Sequence, residues 1–379
     1  MDHLEELLAD ARELIGCESP STDLAAVARS ADVVARVGER RLGRAPERIV
    51  LDGRTHLRWR LGEGPSRVLL LGHHDTVWPI GSLGTHPCAV TDAAEGGVLR
   101  GPGCLDMKVG LAMAFHAAAG QDGVTLLVTG DEELGSPSSR GLVEEEARAA
   151  GAALVLEAAA DGGALKSERK GVSLYDVRLL GRAAHAGLEP ERGVNATLEL
   201  AHQALAVAAL ADPAAGTTVT PTAARSGQTT NTVPAEGSFA VDVRVRSLAE
   251  QQRVDDAVRA LRPVLDGAAV EVHGGPNRPP LEASSSAALL ERAQGLAARL
   301  GLPPLEATAV GGASDGNFTA GVGTPTLDGL GAVGGGAHAD HEHVLLAPLV
   351  GRTTLLRALV EDLLAVPTNR ARATCGARP

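Results

Sequence analysis

Continuous apolar runs bounded by turn-forming or charged residues mark the strands predicted in the first half of the chain. Residues 67–71 (RVLLL), 124–128 (VTLLV) and 153–156 (ALVL) have this form. Strands that are apolar on both faces are typical of parallel sheets, which helices cover on both sides. A helix rich in alanine and leucine is predicted over residues 107–119. The pattern therefore indicates an α/β fold, with a mostly parallel sheet flanked by helices.

From residue 171 the pattern changes to alternating strands and amphipathic helices. The predicted elements are a strand at 172–180, a helix at 194–209, a strand at 238–246, a helix at 248–265, a strand at 269–272 and a closing loop at 274–280. This β-α-β-β-α-β-like order predicts an inserted ferredoxin-like α+β domain at 171–282. Residues 1–170 and 283–379, with a further helix at 286–300, then form the other domain, which contains the predicted parallel sheet.

Polar side chains follow the predicted buried strands at the edge where parallel sheets bind ligands. Zinc accepts imidazole and carboxylate ligands, so a mixed set of this kind suits a catalytic metal pair. The candidate ligands are His73, Asp106, Glu133, Glu157 and His338. Successive side chains of an extended segment point to opposite faces, so Asp75 can hold the ring of His73 while His74 faces away.

Several of these residues also have ordinary structural interpretations. Asp106 could cap the helix that follows it, and Glu157 could be a surface charge at a strand end. His341 and His343 are alternatives to His338 as ligands, and His74 is an alternative to His73. The residue pattern by itself leaves these alternatives open.

The net charge and the length of the apolar runs argue against some classes of binding partner. The 379 residues contain 35 Lys and Arg against 47 Asp and Glu, a formal net charge of −12. An acidic balance argues against binding nucleic acid or an anionic membrane surface. No apolar run reaches the roughly 20 residues that cross a bilayer, and the acidic first segment lacks a signal-peptide plan. We expect a cytoplasmic protein.

Six segments, in order, resemble the zinc-dependent M20 metallopeptidases, especially the glutamate carboxypeptidase branch. They are Gly72–Val77 (GHHDTV), Gly101–Lys108 (GPGCLDMK), Asp131–Ser136 (DEELGS), Glu157, Gly181–Gly187 (GRAAHAG) and His338–Asp340 (HAD). The resemblance spans most of the chain. It implies a zinc-exopeptidase-like catalytic domain with an inserted dimerisation or lid domain.

Residue by residue, the resemblance implies two Zn²⁺ ions per subunit, with Co²⁺ or Mn²⁺ as alternative ions. Asp106 would bridge the pair. One ion would also be held by His73 and Glu157, and the other by Glu133 and His338. The resemblance further implies that Glu132 is the general base, that Asp75 is a catalytic residue which holds the ring of His73, and that the Asp106–Met107 peptide bond is cis.

The resemblance also assigns roles within and beside the inserted domain. His185 would stabilise the oxyanion in the active site of a partner subunit, so a homodimer formed through this domain is implied. The residues implied to contact substrate are Asn231, Arg244, Arg278, Gly311 and Gly312. A guanidinium such as that of Arg278 suits the bidentate capture of a substrate carboxylate.

The resemblance implies hydrolysis of an amide or peptide bond next to a free carboxylate, in a small peptide or an N-acyl amino acid, by the catalytic domain at 1–170 and 283–379. The first interpretation is a carboxypeptidase of the glutamate carboxypeptidase type, with the metal-bridging water activated by a glutamate base. The alternative is an N-acyl amino-acid deacylase, similar to acetylornithine deacetylase or succinyl-diaminopimelate desuccinylase. A non-catalytic metal-binding dimer is the second alternative, against which an intact Glu132 argues.

Overall fold

The computed structural model of the protein describes residues 3–91 and 96–366. The chain divides into two compact units. The first comprises the chain up to Ser167, Ala283–Ala309 and the chain from Ser314, and the second comprises Glu168–Glu282 and Val310–Ala313. Among the helices of the described residues, none combines the length and apolar character that crossing a bilayer requires.

The described residues form α-helices and strands in both units. The helices are α1 His3–Ile15, α2 Leu24–Leu42, α3 Val109–Ala118, α4 Arg140–Ala149, α5 Ala196–Ala208, α6 Leu248–Arg259, α7 Ala283–Arg299, α8 Gly316–Gly321 and α9 Leu349–Ala365. The strands are β1 Glu47–Leu51, β2 Arg54–Leu61, β3 Val68–His73, β4 Ala89–Thr91, β5 Val98–Arg100, β6 Val124–Thr129, β7 Ala152–Val155, β8 Leu165–Arg169, β9 Gly171–Leu180, β10 Ala184–His185, β11 Thr218–Ser226, β12 Thr232–Val233, β13 Glu236–Val245, β14 Ala269–Arg278, β15 Ala307–Val310, β16 Thr326–Leu327, β17 Gly334–Gly335 and β18 His343–Leu345.

A six-stranded sheet in the order β1-β2-β6-β3-β7-β16 forms the centre of the first unit. β3 runs parallel to both β6 and β7, and β16 runs parallel to β7. β1 and β2 add an antiparallel edge. The predicted α/β class with a mostly parallel sheet is confirmed.

Strand β3 shows why its run of apolar residues is continuous. Val68 and Leu70 pack into a core cluster with residues of α1, α3 and α9, whereas Leu69 and Leu71 pack into a separate cluster with residues of α4 and α8. Both faces of the strand are therefore buried under helices, which removes the selection for polar residues at alternate positions.

The parallel register aligns the carboxyl ends of the three central strands. His73 lies opposite Thr129 of β6, and Leu71 lies opposite Val155 of β7. The segments that follow β6 and β7 therefore leave the sheet beside His73. This is the edge where open α/β sheets bind their ligands.

The second unit is built on the antiparallel sheet β11-β13-β9-β14. Along the chain its main elements follow the order β9, α5, β11, β13, α6, β14. Alternate residues of the central strands, including Tyr175, Val177, Phe239 and Val241, are buried in one cluster. The period-two pattern in the sequence thus corresponds to a sheet with a single covered face.

Strand β14 is longer than predicted, because the predicted loop at 274–280 is strand as far as Arg278. Gly274 has a φ of 89°, and a Cβ there would lie 2.2 Å from the carbonyl oxygen of Leu174 on β9. Only glycine permits this close pairing. Pro276 is tolerated because β14 is an edge strand, with a bulge between Pro276 and Arg278.

Two further differences from the predicted elements have local causes. Helix α6 ends at Arg259 and not at residue 265, since Pro263 lacks an N–H group and its ring clashes with the carbonyl four residues earlier. The β1–β2 hairpin was not predicted, although Asp52-Gly53 connects its strands with both residues at positive φ. An Asp-Gly pair between strands is a signal for such a turn.

Candidate metal centre and active site

His73 is the last residue of β3, and its buried ring lies among carboxylates. Its Nε2 atom is 3.2 Å from Asp106 Oδ1 and 3.5 Å from Glu157 Oε1. Its Nδ1 atom is 3.0 Å from the carbonyl oxygen of Asp75 and 3.4 Å from the carboxylate Oδ1 of the same residue. With Nδ1 held in this way, Nε2 is the nitrogen that faces the other carboxylates.

Asp106 lies in the turn Cys104–Lys108 that precedes α3, and its peptide bond to Met107 is cis. Its two oxygens face two different histidines: Oδ2 is 3.2 Å from His338 Nε2, and Oδ1 faces His73. His338 Nε2 is also 3.3 Å from Glu133 Oε2. Asp106 thus stands between two sets of donor atoms.

These distances suit two metal ions. Zinc bonds to nitrogen and oxygen of about 2.0–2.2 Å in a tetrahedral site put neighbouring ligand atoms roughly 3.3 Å apart. Each set contains one imidazole and one further carboxylate in addition to an oxygen of Asp106. Among the described residues, the buried Oε1 atom of Glu133 has no hydrogen-bond partner. Such an atom needs a partner such as a cation.

The electrostatics of the cluster also favour cations. Hydrogen bonds to Asp106 and Glu133 raise the pKa of His338 to about 10. Burial alone would lower the pKa of His73, but its contacts with Asp106 and Asp75, and a further one with Glu157, raise it well above the usual value. Burial raises the pKa of Glu133. The negative charge of these carboxylates, which raises the pKa of both imidazoles, would also attract divalent metal ions.

The carboxylate of Asp75 organises the segment that follows β6. Its Oδ1 accepts a hydrogen bond from the backbone N–H of Glu132, and its Oδ2 accepts one from that of Glu133, both at 3.2 Å. The hydroxyl of Ser21 donates to Oδ2 at 2.7 Å. Burial alone would raise the pKa of Asp75, but the contact with His73 lowers it. An ionised Asp75 therefore fixes both adjacent glutamates.

Glu132 and Glu133 occupy one short 3₁₀ turn but face the cluster differently. Ligand atoms of Glu132, His73 and Glu157 lie within 4.8 Å of one another, as do those of Glu133, His73 and Asp106. Glu133 Oε2 contacts His338 Nε2 at 3.3 Å. Glu132 is thus within reach of the His73 and Glu157 ligand atoms, and Glu133 is within reach of those of His338 and Asp106.

The alternative ligands have other contacts. The ring of His74 is buried, with Nδ1 3.1 Å from Ser30 Oγ and Nε2 3.0 Å from the carbonyl oxygen of Thr55. Burial lowers its pKa to about 4. His343 Nδ1 is 2.9 Å from the carbonyl oxygen of His341, whereas the contacts with Asp106 and Glu133 are made by His338.

His185 and Asn231 are neighbours within the second unit. β10 pairs with β12, and the N–H of Ala186 donates to the carbonyl oxygen of Asn231 at 2.8 Å. The exposed ring of His185 accepts hydrogen bonds at Nδ1 from the N–H groups of Gly187 and Leu188, both at 3.1 Å. Nδ1 is therefore unprotonated in the neutral ring, and Nε2 carries the hydrogen that can be donated.

The remaining residues with a predicted substrate role also lie in the second unit. Arg244 makes a bidentate pair with Asp242, with distances of 2.8 and 2.9 Å. Arg278 is buried at the end of β14. Gly312 accepts a hydrogen bond from Arg169 Nη1 at 3.1 Å, and a Cβ added at Gly311 would meet open space.

Sequence reasoning missed Glu342. Glu342 is only 3% exposed, and its carboxylate accepts hydrogen bonds from the turn that carries Asp106. The surrounding sequence, HADHEHV, consists mostly of polar residues. No periodicity within this run separates a buried glutamate from an exposed one.

Comparison with known proteins assigns the chain to a family. Residues 69–362 match the model of peptidase family M20/M25/M40. The chain is 31% identical to carboxypeptidase G2 from Pseudomonas sp. (strain RS-16) over 285 residues, which cover 71% of this chain and 68% of the relative. Among solved structures, the fold is similar to that of the aminopeptidase PepT from Bacillus cereus, with a TM-score of 0.74 and 22% identity over 96% of this chain and 99% of the other. It is also similar to the M20 metallo-carboxypeptidase Sso-CP2 from Sulfolobus solfataricus, with a TM-score of 0.71 and 16% identity over 95% and 99% of the two chains.

Proposed function

The chain belongs to peptidase family M20/M25/M40 and is a hydrolase, and we propose that it cleaves the amide or peptide bond next to a free carboxylate, as a zinc carboxypeptidase of the glutamate carboxypeptidase type. Membership of this family of enzymes argues against the non-catalytic dimer. The observation that carries the proposal is the position of Asp106, whose two oxygens each face one histidine and one further carboxylate.

In this proposal, one Zn²⁺ ion is held by His73, Glu157 and Asp106, and a second by Glu133, His338 and Asp106. A zinc pair of this kind, when bound, polarises the scissile carbonyl and makes an attacking water more acidic. The unpartnered Oε1 atom of Glu133 and the imidazole-and-carboxylate donor set support these assignments.

Glu132 is the proposed general base. Its carboxylate takes the proton of the attacking water and later delivers that proton to the nitrogen of the leaving amine. Its position is supported by Asp75, which accepts the hydrogen bond of the Glu132 N–H group. Asp75 is therefore a positioning residue that keeps the base beside the metal centre.

The carboxypeptidase assignment rests on two considerations. The relative at 31% identity is a carboxypeptidase. The chain also offers Arg278, a buried guanidinium of the kind that binds carboxylates by two hydrogen bonds. Arg244, the other arginine with a predicted substrate role, holds Asp242 in a bidentate pair.

A substrate panel tests the proposed specificity. Zinc-loaded protein is incubated with dipeptides that end in glutamate or in an apolar residue, and with N-acetyl and N-succinyl amino acids. Products are identified by mass spectrometry. We expect release of the carboxy-terminal amino acid, and no release from the same dipeptides with an amidated carboxy terminus, because the free carboxylate is the recognised group.

Two results would contradict this proposal. Cleavage confined to the acetyl or succinyl group would assign the chain to the N-acyl amino-acid deacylases. Equal cleavage of free and amidated peptides would exclude recognition of the carboxylate. A parallel reaction with Glu132→Gln identifies any cleavage caused by a contaminating peptidase, since such cleavage would persist.

His185 is the proposed oxyanion donor, acting in the active site of a partner subunit. Its Nδ1 atom accepts two backbone N–H groups, which leaves the hydrogen on Nε2 available for a substrate oxygen. A donor aimed at the negative charge that develops on the substrate oxygen stabilises the transition state more than the bound substrate. It therefore lowers the barrier of the reaction.

The second unit offers a surface for the proposed homodimer. Leu198 and Leu205 are 54% and 73% exposed on α5. They are seven residues apart, so they lie on the same side of the helix. β11 is an edge strand of the sheet. Exposed leucines beside an unpaired strand edge favour association of two copies.

A mixing experiment tests whether His185 acts in trans. His185→Ala and Asp106→Asn subunits, each inactive alone, are co-expressed with different affinity tags. If half of the dimers are mixed and one of their two sites is complete, recovery reaches about a quarter of wild-type activity. Native mass spectrometry measures the fraction of mixed dimers.

The control mixes Asp106→Asn with His338→Ala, two changes in the same metal centre. These mixed dimers contain no complete site under the proposed arrangement, so no recovery is expected. Mixed dimers of His185→Ala and Asp106→Asn that remain inactive would show that His185 does not act across subunits.

A further inference from the structure

Glu342 is a buried carboxylate with both oxygens fully engaged. Oε1 accepts hydrogen bonds from the N–H groups of Leu105 and Asp106, at 2.8 and 3.0 Å. Oε2 accepts hydrogen bonds from the N–H of Gly103 at 2.9 Å and from the indole Nε1 of Trp78 at 2.7 Å. A buried carboxylate is costly unless it is hydrogen-bonded in this way.

Three of the four donors are backbone N–H groups of Gly103 and of the turn Cys104–Lys108, which carries Asp106. Gly103 immediately precedes the turn, and its φ of 69° allows the neighbouring N–H groups to converge on one anion. Residues 103, 105 and 106 all donate to Glu342, so its carboxylate fixes the backbone from which the Asp106 side chain extends. A shift of this backbone would move both oxygens that face the two histidines.

Glu342 also belongs to the segment that carries His338. The N–H of Glu342 donates to the carbonyl oxygen of Ala339 at 2.8 Å, and the N–H of Ala339 donates to that of Gly336 at 2.9 Å. His338 itself is half exposed and has a φ of 63°, so little packing holds its ring. The buried Glu342 side chain anchors this segment to the Asp106 turn.

Trp78 connects a third segment to the same carboxylate. It lies five residues beyond His73, and its side chain is 8% exposed. The segments that carry His73, Asp106 and His338 therefore all meet at Glu342. Glu342 itself is not one of the proposed metal ligands.

We propose that Glu342 is a positioning residue of the metal centre, which holds the Asp106 turn and the His338 segment at the separation that two metal ions require. This inference rests on the proposed function, since it concerns the same metal pair. Replacing a residue that orients metal ligands without binding the metal itself typically lowers metal affinity by about 10–100-fold.

The test compares metal binding by wild-type protein, Glu342→Gln and Glu342→Ala. Zinc content is measured after dialysis, and affinity is measured by competition with a chelating dye. In Glu342→Gln, one oxygen acceptor and the charge are lost, so we expect affinity to fall by about 10–100-fold. Glu342→Ala should lose more, and Trp78→Phe should lose little, because three backbone hydrogen bonds remain.

A matched control separates positioning from general stability. Glu199 is also fully buried and also accepts backbone hydrogen bonds, from Val264 and Leu265 in the second unit. Glu199→Gln should lower the midpoint of thermal unfolding to a similar degree and leave zinc affinity unchanged. The apo forms are compared by circular dichroism and thermal unfolding.

The outcomes distinguish this inference from the proposed function. Wild-type zinc affinity in Glu342→Gln, with only a reduced unfolding midpoint, would overturn the positioning role and leave the metal centre standing. Failure of the wild-type protein to bind zinc or another divalent ion would overturn both. Weaker zinc binding in Glu342→Gln and unchanged binding in Glu199→Gln would support the inference.

Discussion

We expect Glu132→Gln to retain both proposed metal ions and the wild-type fold, and its kcat to fall by about 10²- to 10⁴-fold, the range that general acid–base groups contribute. Glutamine preserves the shape of the side chain but cannot take a proton from water at neutral pH. The backbone N–H of residue 132 still donates to Asp75, so the turn keeps its place. Steady-state kinetics on the best substrate of the panel, with metal analysis of the same sample, measures both quantities.

Glu133→Gln is the matched control, because it makes the same chemical change one residue further along the same turn. Its Oε2 atom contacts His338, so this variant should lose metal as well as activity. Metal loss in Glu132→Gln would identify Glu132 as a ligand, as its distance from His73 and Glu157 also allows. Full activity in Glu132→Gln would exclude the base assignment.

The part of the candidate site that the sequence predicts is the part attached to strands. Buried parallel strands have a recognisable apolar pattern, and their carboxyl ends meet at one edge. His73 ends β3 and Glu157 follows β7, so their proximity follows from the strand pattern alone. Their separation of 3.5 Å is a consequence of the register between β3 and β7.

The parts attached to irregular segments could not be derived in this way. His338 lies in a loop with positive φ, and its approach to Asp106 depends on contacts that no periodicity encodes. Only the resemblance to a known family singled it out from His341 and His343. Glu342 had no such support, because a buried acid and a surface acid look alike in a polar run.

In the fold, too, the regular strands could be predicted from the sequence, whereas a segment fixed by tertiary contacts could not. Continuous and alternating apolar patterns predict the central strands of both sheets, because burial on one or two faces selects these patterns directly. The end of β14 was predicted as a loop because Gly274, Gly275 and Pro276 normally interrupt strands. There the backbone of β9 supplies the pairing partner, and this tertiary contact prevails over local preference.

Asp106→Asn has the other large expected effect, because this side chain belongs to both proposed ligand sets. Asparagine keeps one oxygen but replaces the other by an NH₂ group, which cannot bind a metal ion. Oδ1 faces His73 and Oδ2 faces His338, so one set is incomplete whichever way the amide points. We expect metal content to fall from two ions to one or none, and turnover to fall by at least about 100-fold, the lower bound for losing a single acid–base group.

His338→Ala and Asp10→Asn are the controls for Asp106→Asn, and inductively coupled plasma mass spectrometry counts the ions in each variant. His338→Ala removes a ligand of one set only, so it should retain one ion. Asp10 is a buried aspartate that pairs with Arg40 and Arg41, so Asp10→Asn should reduce stability and keep both ions. Two tightly bound ions in Asp106→Asn would show that the carboxylate does not bridge the pair. The turn Cys104–Lys108 contains no other acidic residue, so no neighbouring carboxylate on that turn can take the place of Asp106.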